Sequence, residues 1–274
     1  MIDLGTRPVG HGLPFVELDD DCMDYLVERL GIAELPVVLD VFPRFDAAAD
    51  RQAALVRGRA GLVEHGVFSD DHVHPDLEAW LRTLERPTWY IAARLVPRPY
   101  GTGSITRVCR AASESGSVIA VRRSGLLTIR ATVADPARDV LDAVGSEPAL
   151  DFVGVSAPTD TLAEALDASP TDAGATAHRL TALDIDHAAA ADVASALALC
   201  TSHTEITCTT VGFGTSTLDP LPIAVFDTPR GRLVATTSTA ADGRRWTSFA
   251  PGSDARIRSA LTDMAQRAEA PGVS

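Results

Sequence analysis

Lysine is missing from this sequence; all 24 basic residues are arginine. No Walker-type phosphate loop can be built without it. Beside abundant Ala, Val, Asp and Gly, the all-arginine usage reads as GC-rich coding, a statement about codons rather than function. Positive charge is also in deficit. The formal net charge is −13, which argues against nucleic acid or an anionic membrane as partner, because both are held by clustered positive charge. Cysteine is sparse: Cys22, Cys109, Cys200 and Cys208 are scattered, with no Cys-x-x-Cys pair. That distribution points to structural thiols in a reducing compartment, not to disulfides or zinc. No apolar run approaches a membrane span, and the start MIDLGTRPVGHGLPFVEL lacks an apolar signal core. The expected location is therefore the cytoplasm. Gly-x-Ser-x-Gly, the elbow of a serine nucleophile, is absent as well.

What remains is ordinary globular material. The 274 residues are 46% hydrophobic and 22% charged, enough for one large domain or two small ones around a buried core. ELDDDCMDYLVERLG (17–31) predicts a helix, with acids in its first turn, Met23, Leu26, Val27 and Leu30 at helical spacing, and Gly31 as its stop. PVVLDVFP (36–43) predicts a short strand between prolines, and 46–65 and 75–84 predict helices joined by a polar loop. From 88 the period changes to alternation. The segments 88–96, 104–112, 117–124 and 126–133 predict a four-stranded antiparallel meander, followed by a helix over 134–145 with Asp135 as cap and Pro136 in its first turn.

The scheme then recurs. Ala-rich helical stretches at 159–168, 172–183 and 187–200 lead into strands at 203–214, 222–229, 231–240 and 244–251, then a helix from Asp254 to about Arg267. Gly116 to Gly231, Gly125 to Gly243 and Asp135 to Asp254 are 115, 118 and 119 positions apart. We read an internally duplicated α+β unit with halves of about 15–150 and 156–270. The two meanders are expected to join in one sheet, since a lone four-stranded sheet would leave an apolar edge open.

Candidate chemistry is thin. In SDDHVHPD (69–76), His72 and His74 alternate on an extended segment and could face a metal with Asp70, Asp71 or Asp76. A metal-dependent hydrolase is thus the alternative reading. Against it, His74-Pro75-Asp76 has the order of a helix start. GTGSI (101–105) enters a strand, and GFGTST (212–217) lacks the third glycine and following helix of a dinucleotide site. No cofactor is expected. Binding fits better. The alternation of LLTIRATV sets Leu127, Ile129 and Ala131 on one face, and Thr128, Arg130 and Thr132 on the other. On the later strand, Thr236 and Ser238 share a face. Such a surface is either a partner platform or an ordinary solvated sheet. The loop PRPYGTGS (97–104), with Arg98 and Tyr100 amid Pro and Gly, reads as an adaptable contact loop. The Ala-rich helices either leave a shallow groove or pack closely together.

Two stretches carry a resemblance. VFDTPRGRLVATTSTAADGRRWTSFAPGSDARIRSAL runs strand, Asp-Thr-Pro-x-Gly-Arg, strand, Asp-Gly turn, Trp-x-Ser-x-x-Pro-Gly-Ser, helix. FVELDDDCMDYLVERLGIAELPVVLDVFPRFD, with LVEHGVF and HPDLEAWLRTLERPTWYIAARLV after it, gives the order helix, short strand, helices, long strand. In both, the chain resembles the EspG family, the ESX (type VII) secretion-associated proteins of mycobacteria and related actinobacteria. The resemblance implies an α+β fold with a central antiparallel β-sheet flanked by two helical bundles. It also implies a cytosolic chaperone that performs no chemistry. Such a chaperone binds PE–PPE heterodimers by the tip of the PPE subunit, keeps them soluble and delivers them to the ESX machinery. Partner contact is implied at the sheet, the C-terminal bundle and the loop Pro97 to Ser104. On this chain the expected contact residues are Arg98, Tyr100, Thr102, Ser104, Thr128, Arg130, Thr236 and Ser238, with the free protein a monomer or weak homodimer.

Overall fold

The computed structural model of the chain describes residues 12–100, 104–167, 172–212 and 214–270. Contacts group them into two compact units: Met1–Ala92 with Thr106–Ala134 and Val211–Thr215, and Ala93–Ile105 with Asp135–Thr210 and Ser216–Ser274. The class is α+β with antiparallel sheet, as expected.

In the first unit, β1 (Val16–Leu18) leads into α1 (Asp20–Leu30). Asp19 caps α1 by accepting from Cys22 N at 2.8 Å, and Gly31, at φ 61°, ends it in the left-handed conformation that glycine adopts without strain. Next come α2 (Ala48–Glu64), a two-residue hairpin of β2 (Phe68–Ser69) and β3 (His72–Val73), and α3 (Pro75–Glu85). The meander is β4 (Trp89–Pro97), β5 (Thr106–Ser113), β6 (Gly116–Arg123) and β7 (Leu126–Ala131). Its order in this unit is β1-β7-β6-β5-β4. Met23, Leu26, Leu62, Leu77 and Leu81 pack with Cys109, Ala111, Ala120, Leu127 and Ile129 of the sheet as the core.

The stretch 36–43 is not a strand. Val37–Leu39 form a 3-10 turn, closed by Leu39 N on Pro36 O and Asp40 N on Val37 O, and Asp40 sits at φ 58°. A left-handed residue there breaks extension, and only Leu39 of the turn is buried.

The second unit holds α4 (Pro136–Val144), β8 (Val155–Pro158), α5 (Thr159–Asp167), α6 (Ala173–Thr181), α7 (His187–Ala198), β9 (Ser202–Gly212), β10 (Thr215–Leu218), β11 (Ile223–Asp227), β12 (Leu233–Thr239), β13 (Arg245–Pro251) and α8 (Asp254–Glu269). The order here is β4-β9-β11-β12-β13-β8, with β10 beside β9. Leu233, Ala235, Phe249, Val155 and Ala157 present one sheet face to Leu162, Leu180, Ala190 and Val193 of α5–α7. Helix α4 packs on α8. Asp135 caps α4, and Ser253 caps α8 by accepting from Arg256 N.

Sequence patterning missed β1 and β8. Each is an edge strand, pairing β7 and β13 respectively. Val16 and Leu18, and again Val155 and Ala157, alternate with exposed residues. That alternation is the period-2 signal, in a run too short to stand out.

Candidate partner-binding surface

Strand β4 ends because Pro97 and Pro99 offer no N–H to a ladder. Between them, Arg98 N donates to Thr201 O at 2.7 Å. The Arg98 guanidinium lies 5.0 Å from the Tyr100 ring centre and donates to Tyr100 Oη at 3.0 Å. Tyr100 is 65% exposed. Beneath it, His203 meets the Tyr100 ring edge-on at 5.9 Å and stacks on Phe226 at 6.4 Å, and Phe226 lies 5.9 Å from Phe249. The β9–β11 register sets Phe226 opposite His203. On β12, Ala235 stands opposite Phe249, leaving room for Phe226 to reach it. An aromatic row thus runs from solvent into the core, holding the one exposed ring in place.

The buried His203 is flanked by charge. Its Nε2 is 3.6 Å from Glu205 Oε1, and Glu205 Oε2 is 3.7 Å from Arg94 Nη1. Burial, then the Arg98 charge, push the His203 pKa below its ordinary value of 6.5, against the pull of Glu205. The unfolded chain therefore binds more protons at this site just below pH 6.5, so stability is complete above that pH and falls as pH drops towards the lowered pKa. Urea midpoints measured from pH 7.5 downwards should fall, and a His203→Gln variant should show a shallower fall. Equal slopes in the two proteins would reject the assignment.

The other expected contact residues are placed unevenly. Thr236 is half-buried and Ser238 exposed, on one side of β12. Thr236 faces Ser248 on β13, and Ser248 faces Ser156 on β8, with Ser248 Oγ donating to Ser156 Oγ at 3.0 Å. This side of the second unit is a hydroxyl row. In the first unit, Thr128 lies opposite Glu17 and Val121, and Arg130 opposite Ile119. Both are half-buried, and Thr132 is buried. Ser104 is exposed, and Thr102 lies outside the described residues.

Residues 19–263 match the family model described as EspG family. The chain belongs to the EspG family. Among its relatives, the ESX-3 secretion-associated protein EspG3 of Mycolicibacterium smegmatis is 27% identical, over 90% of this chain and 84% of that protein. EspG3 of Mycobacterium tuberculosis is 26% identical, over 90% of this chain and 88% of that protein. In fold, the chain is similar to the Mycobacterium tuberculosis type VII secretion system chaperone EspG5, solved in complex with a PE25–PPE41 dimer. That likeness has a TM-score of 0.76 at 18% identity, covering 92% of this chain and 96% of that one.

The histidine segment of this EspG chain is occupied with its own backbone. His72 Nδ1 is 2.6 Å from Asp70 O, and Asp70 and Asp71 form the β2–β3 turn at φ 49° and 62°. His74 caps α3 by accepting from Asp76 N. The buried Asp76 accepts from Gly12 N and Leu13 N. Among the described residues, no three His, Cys, Asp or Glu side chains group as metal ligands. The Ala-rich bundle does leave a groove of about 350 Å³ between α6 and α7, lined by Ala173, Ala177, Thr181, Ala191 and the two histidines His178 and His187. The four thiols are free, and burial pushes Cys22 and Cys208 up to about 12 and raises Cys109 and Cys200 too.

The composition of the loop marks Arg98 and Tyr100, and nothing in the sequence marks His203. A lone histidine carries no pattern. Only the pairing of β9 with its neighbours brings it under the loop.

Proposed function

We propose that this chain is a cytosolic chaperone of type VII secretion that binds a PE–PPE heterodimer through its PPE subunit, keeps it soluble and hands it to the secretion machinery, without catalysing a reaction. EspG membership supports the class, and the EspG5 complex with PE25–PPE41 supports the partner. The observation that carries the reading on this chain is Tyr100, an exposed ring held from below by Arg98 and His203. A rigid aromatic anchor of this kind loses little entropy on binding and is the usual centre of interface energy. No helix among the described residues is long and apolar enough to cross a membrane.

The contact surface in this reading comprises the loop Pro97 to Ser104, the Thr236–Ser238 side of β12, and Thr128 and Arg130 of β7. Tyr100→Ala should weaken binding to a cognate PE–PPE pair at least tenfold, about 1.4 kcal/mol, with an unchanged melting curve. Unchanged affinity would remove the loop from the interface. The same reading takes the chain as a single domain of two related halves, about 15–150 and 156–270. Its support is the common order of edge strand, three helices, meander and capped helix, with the edge strand pairing the last meander strand each time.

A further inference from the structure

Arg98 is a half-buried cation whose neighbouring carboxylates are both engaged elsewhere. Its backbone N donates to Thr201 O, and Thr201 N donates to Asp227 O at 2.8 Å, which brings Asp227 close. Yet Asp227 is forked by Arg232 through both oxygens and accepts from Ser202 Oγ at 3.0 Å. Glu205, the other carboxylate of this neighbourhood, is shared between Arg94 Nη1 and His203 Nε2 at 3.7 and 3.6 Å. Gly101, Thr102 and Gly103, which follow Tyr100, carry no charge. Three guanidiniums, Arg94, Arg98 and Arg232, thus share two carboxylates. The surplus charge falls on Arg98, in a chain of formal net charge −13.

The Arg98 guanidinium is also short of hydrogen bonds. It donates from Nη2 to Tyr100 Oη at the surface, while its Nε is buried without a partner among the described residues. Half-burying a cation without its counter-ion costs free energy, and an arriving carboxylate offsets that cost. A planar guanidinium can take a carboxylate edge-on while its face stays against an aromatic ring. Here that ring is Tyr100, 5.0 Å away. A positive spot on a negative chain orients an acidic group towards itself and turns a basic one away.

We propose that Arg98 is the charge-reading residue of the loop: the PE–PPE heterodimer presents an Asp or Glu side chain that pairs with the Arg98 guanidinium, while Tyr100 packs beside it. This rests on the PE–PPE reading and adds the chemistry by which the partner is chosen. A partner with a neutral or basic side chain at that point leaves the cation desolvated and unpaired, so it binds more weakly.

Titration calorimetry of the full chain with a cognate PE–PPE pair, at about 50 and about 500 mM NaCl, tests this. The unaltered chain should lose affinity as salt rises. Arg98→Met keeps the apolar stem and removes the charge. It should bind at least about tenfold more weakly at low salt, with a shallower salt dependence. Tyr100→Ala should bind weakly but keep the salt dependence, because Arg98 remains. If Arg98 did no more than hold the ring, the two variants would behave alike. Arg98→Glu should bind more weakly still, and reversing one acidic side chain of the PPE tip to Lys should restore part of the loss. If the unaltered chain takes up no cognate pair, the PE–PPE reading fails and this inference with it. If it does take one up, the inference alone is overturned by Arg98→Met binding with unchanged affinity or an unchanged salt slope, or by no reversal on the partner rescuing Arg98→Glu.

Discussion

Arg232→Ala should cost about 3–5 kcal/mol of stability. Arg232 is 1% exposed, and its side chain makes three hydrogen bonds. Nε and Nη2 donate to the two oxygens of Asp227 at 2.5 and 3.1 Å, and Nη1 donates to Gly145 O at 2.6 Å. Its backbone is also fully used: N donates to Pro148 O, and O accepts from Leu150 N and Gly252 N. The residue ties the end of α4, the strand pair β11–β12 and the start of α8 into one knot. Truncation leaves Asp227 poorly compensated and the Gly145 carbonyl without this donor, which costs more than the pair itself contributes. Arg232→Lys should recover only part, since an ammonium cannot make the bidentate fork. The double variant R232M/D227L should lose less than Arg232→Ala, because no charge is then stranded. Urea unfolding gives all three values, and a loss below about 1 kcal/mol for Arg232→Ala would refute the argument.

Gly58→Ala sets two effects of opposite sign against each other. Alanine is the better helix former by about 1 kcal/mol. A Cβ at Gly58, however, would stand 2.0 Å from Asp21 O and 2.5 Å from Asp21 C, both backbone atoms of α1. They cannot turn aside as a side chain would. The two helices must separate, pulling Leu62 from the core it shares with Met23 and Leu26 and lengthening the Cys22 Sγ to Gly58 O contact of 3.5 Å. Overpacking of this kind costs about 3 kcal/mol, so the net expectation is a loss of about 2 kcal/mol and a fall of several degrees in melting temperature. An unchanged or raised melting temperature would show that α1 yields without cost.

These two sites also mark what could be read from sequence. The turns of the second meander were legible, because Thr228-Pro229-Arg230-Gly231 and Asp242-Gly243 carry residues suited to turn geometry. The helices were legible from caps such as Asp135 and stops such as Gly31. The role of Arg232 was not. An arginine beside a turn has the same composition whether it binds a ligand or its own chain, and here the anion is Asp227, with Arg230 held by Asp192. Gly58 was equally silent, since a glycine inside a helix announces close packing only once its neighbour is known. The 3-10 turn at 37–39 was misread because two valines and a leucine between prolines suit an extended edge as well as a turn. Of the expected contact surface, Arg98 and Tyr100 come together as a unit. The β7 residues were harder, because alternation separates two faces without saying whether either is covered.

The function proposed for this chain is to bind a PE–PPE heterodimer. Its most direct measurement is co-expression with a PE–PPE pair from the same genome, an affinity tag on this chain alone, and the mass of what elutes. The expected result is a single complex of one chain with one heterodimer, and a larger soluble fraction of the PPE protein than without the chain. If cognate pairs are as soluble without it and never elute with it, the chaperone reading is contradicted.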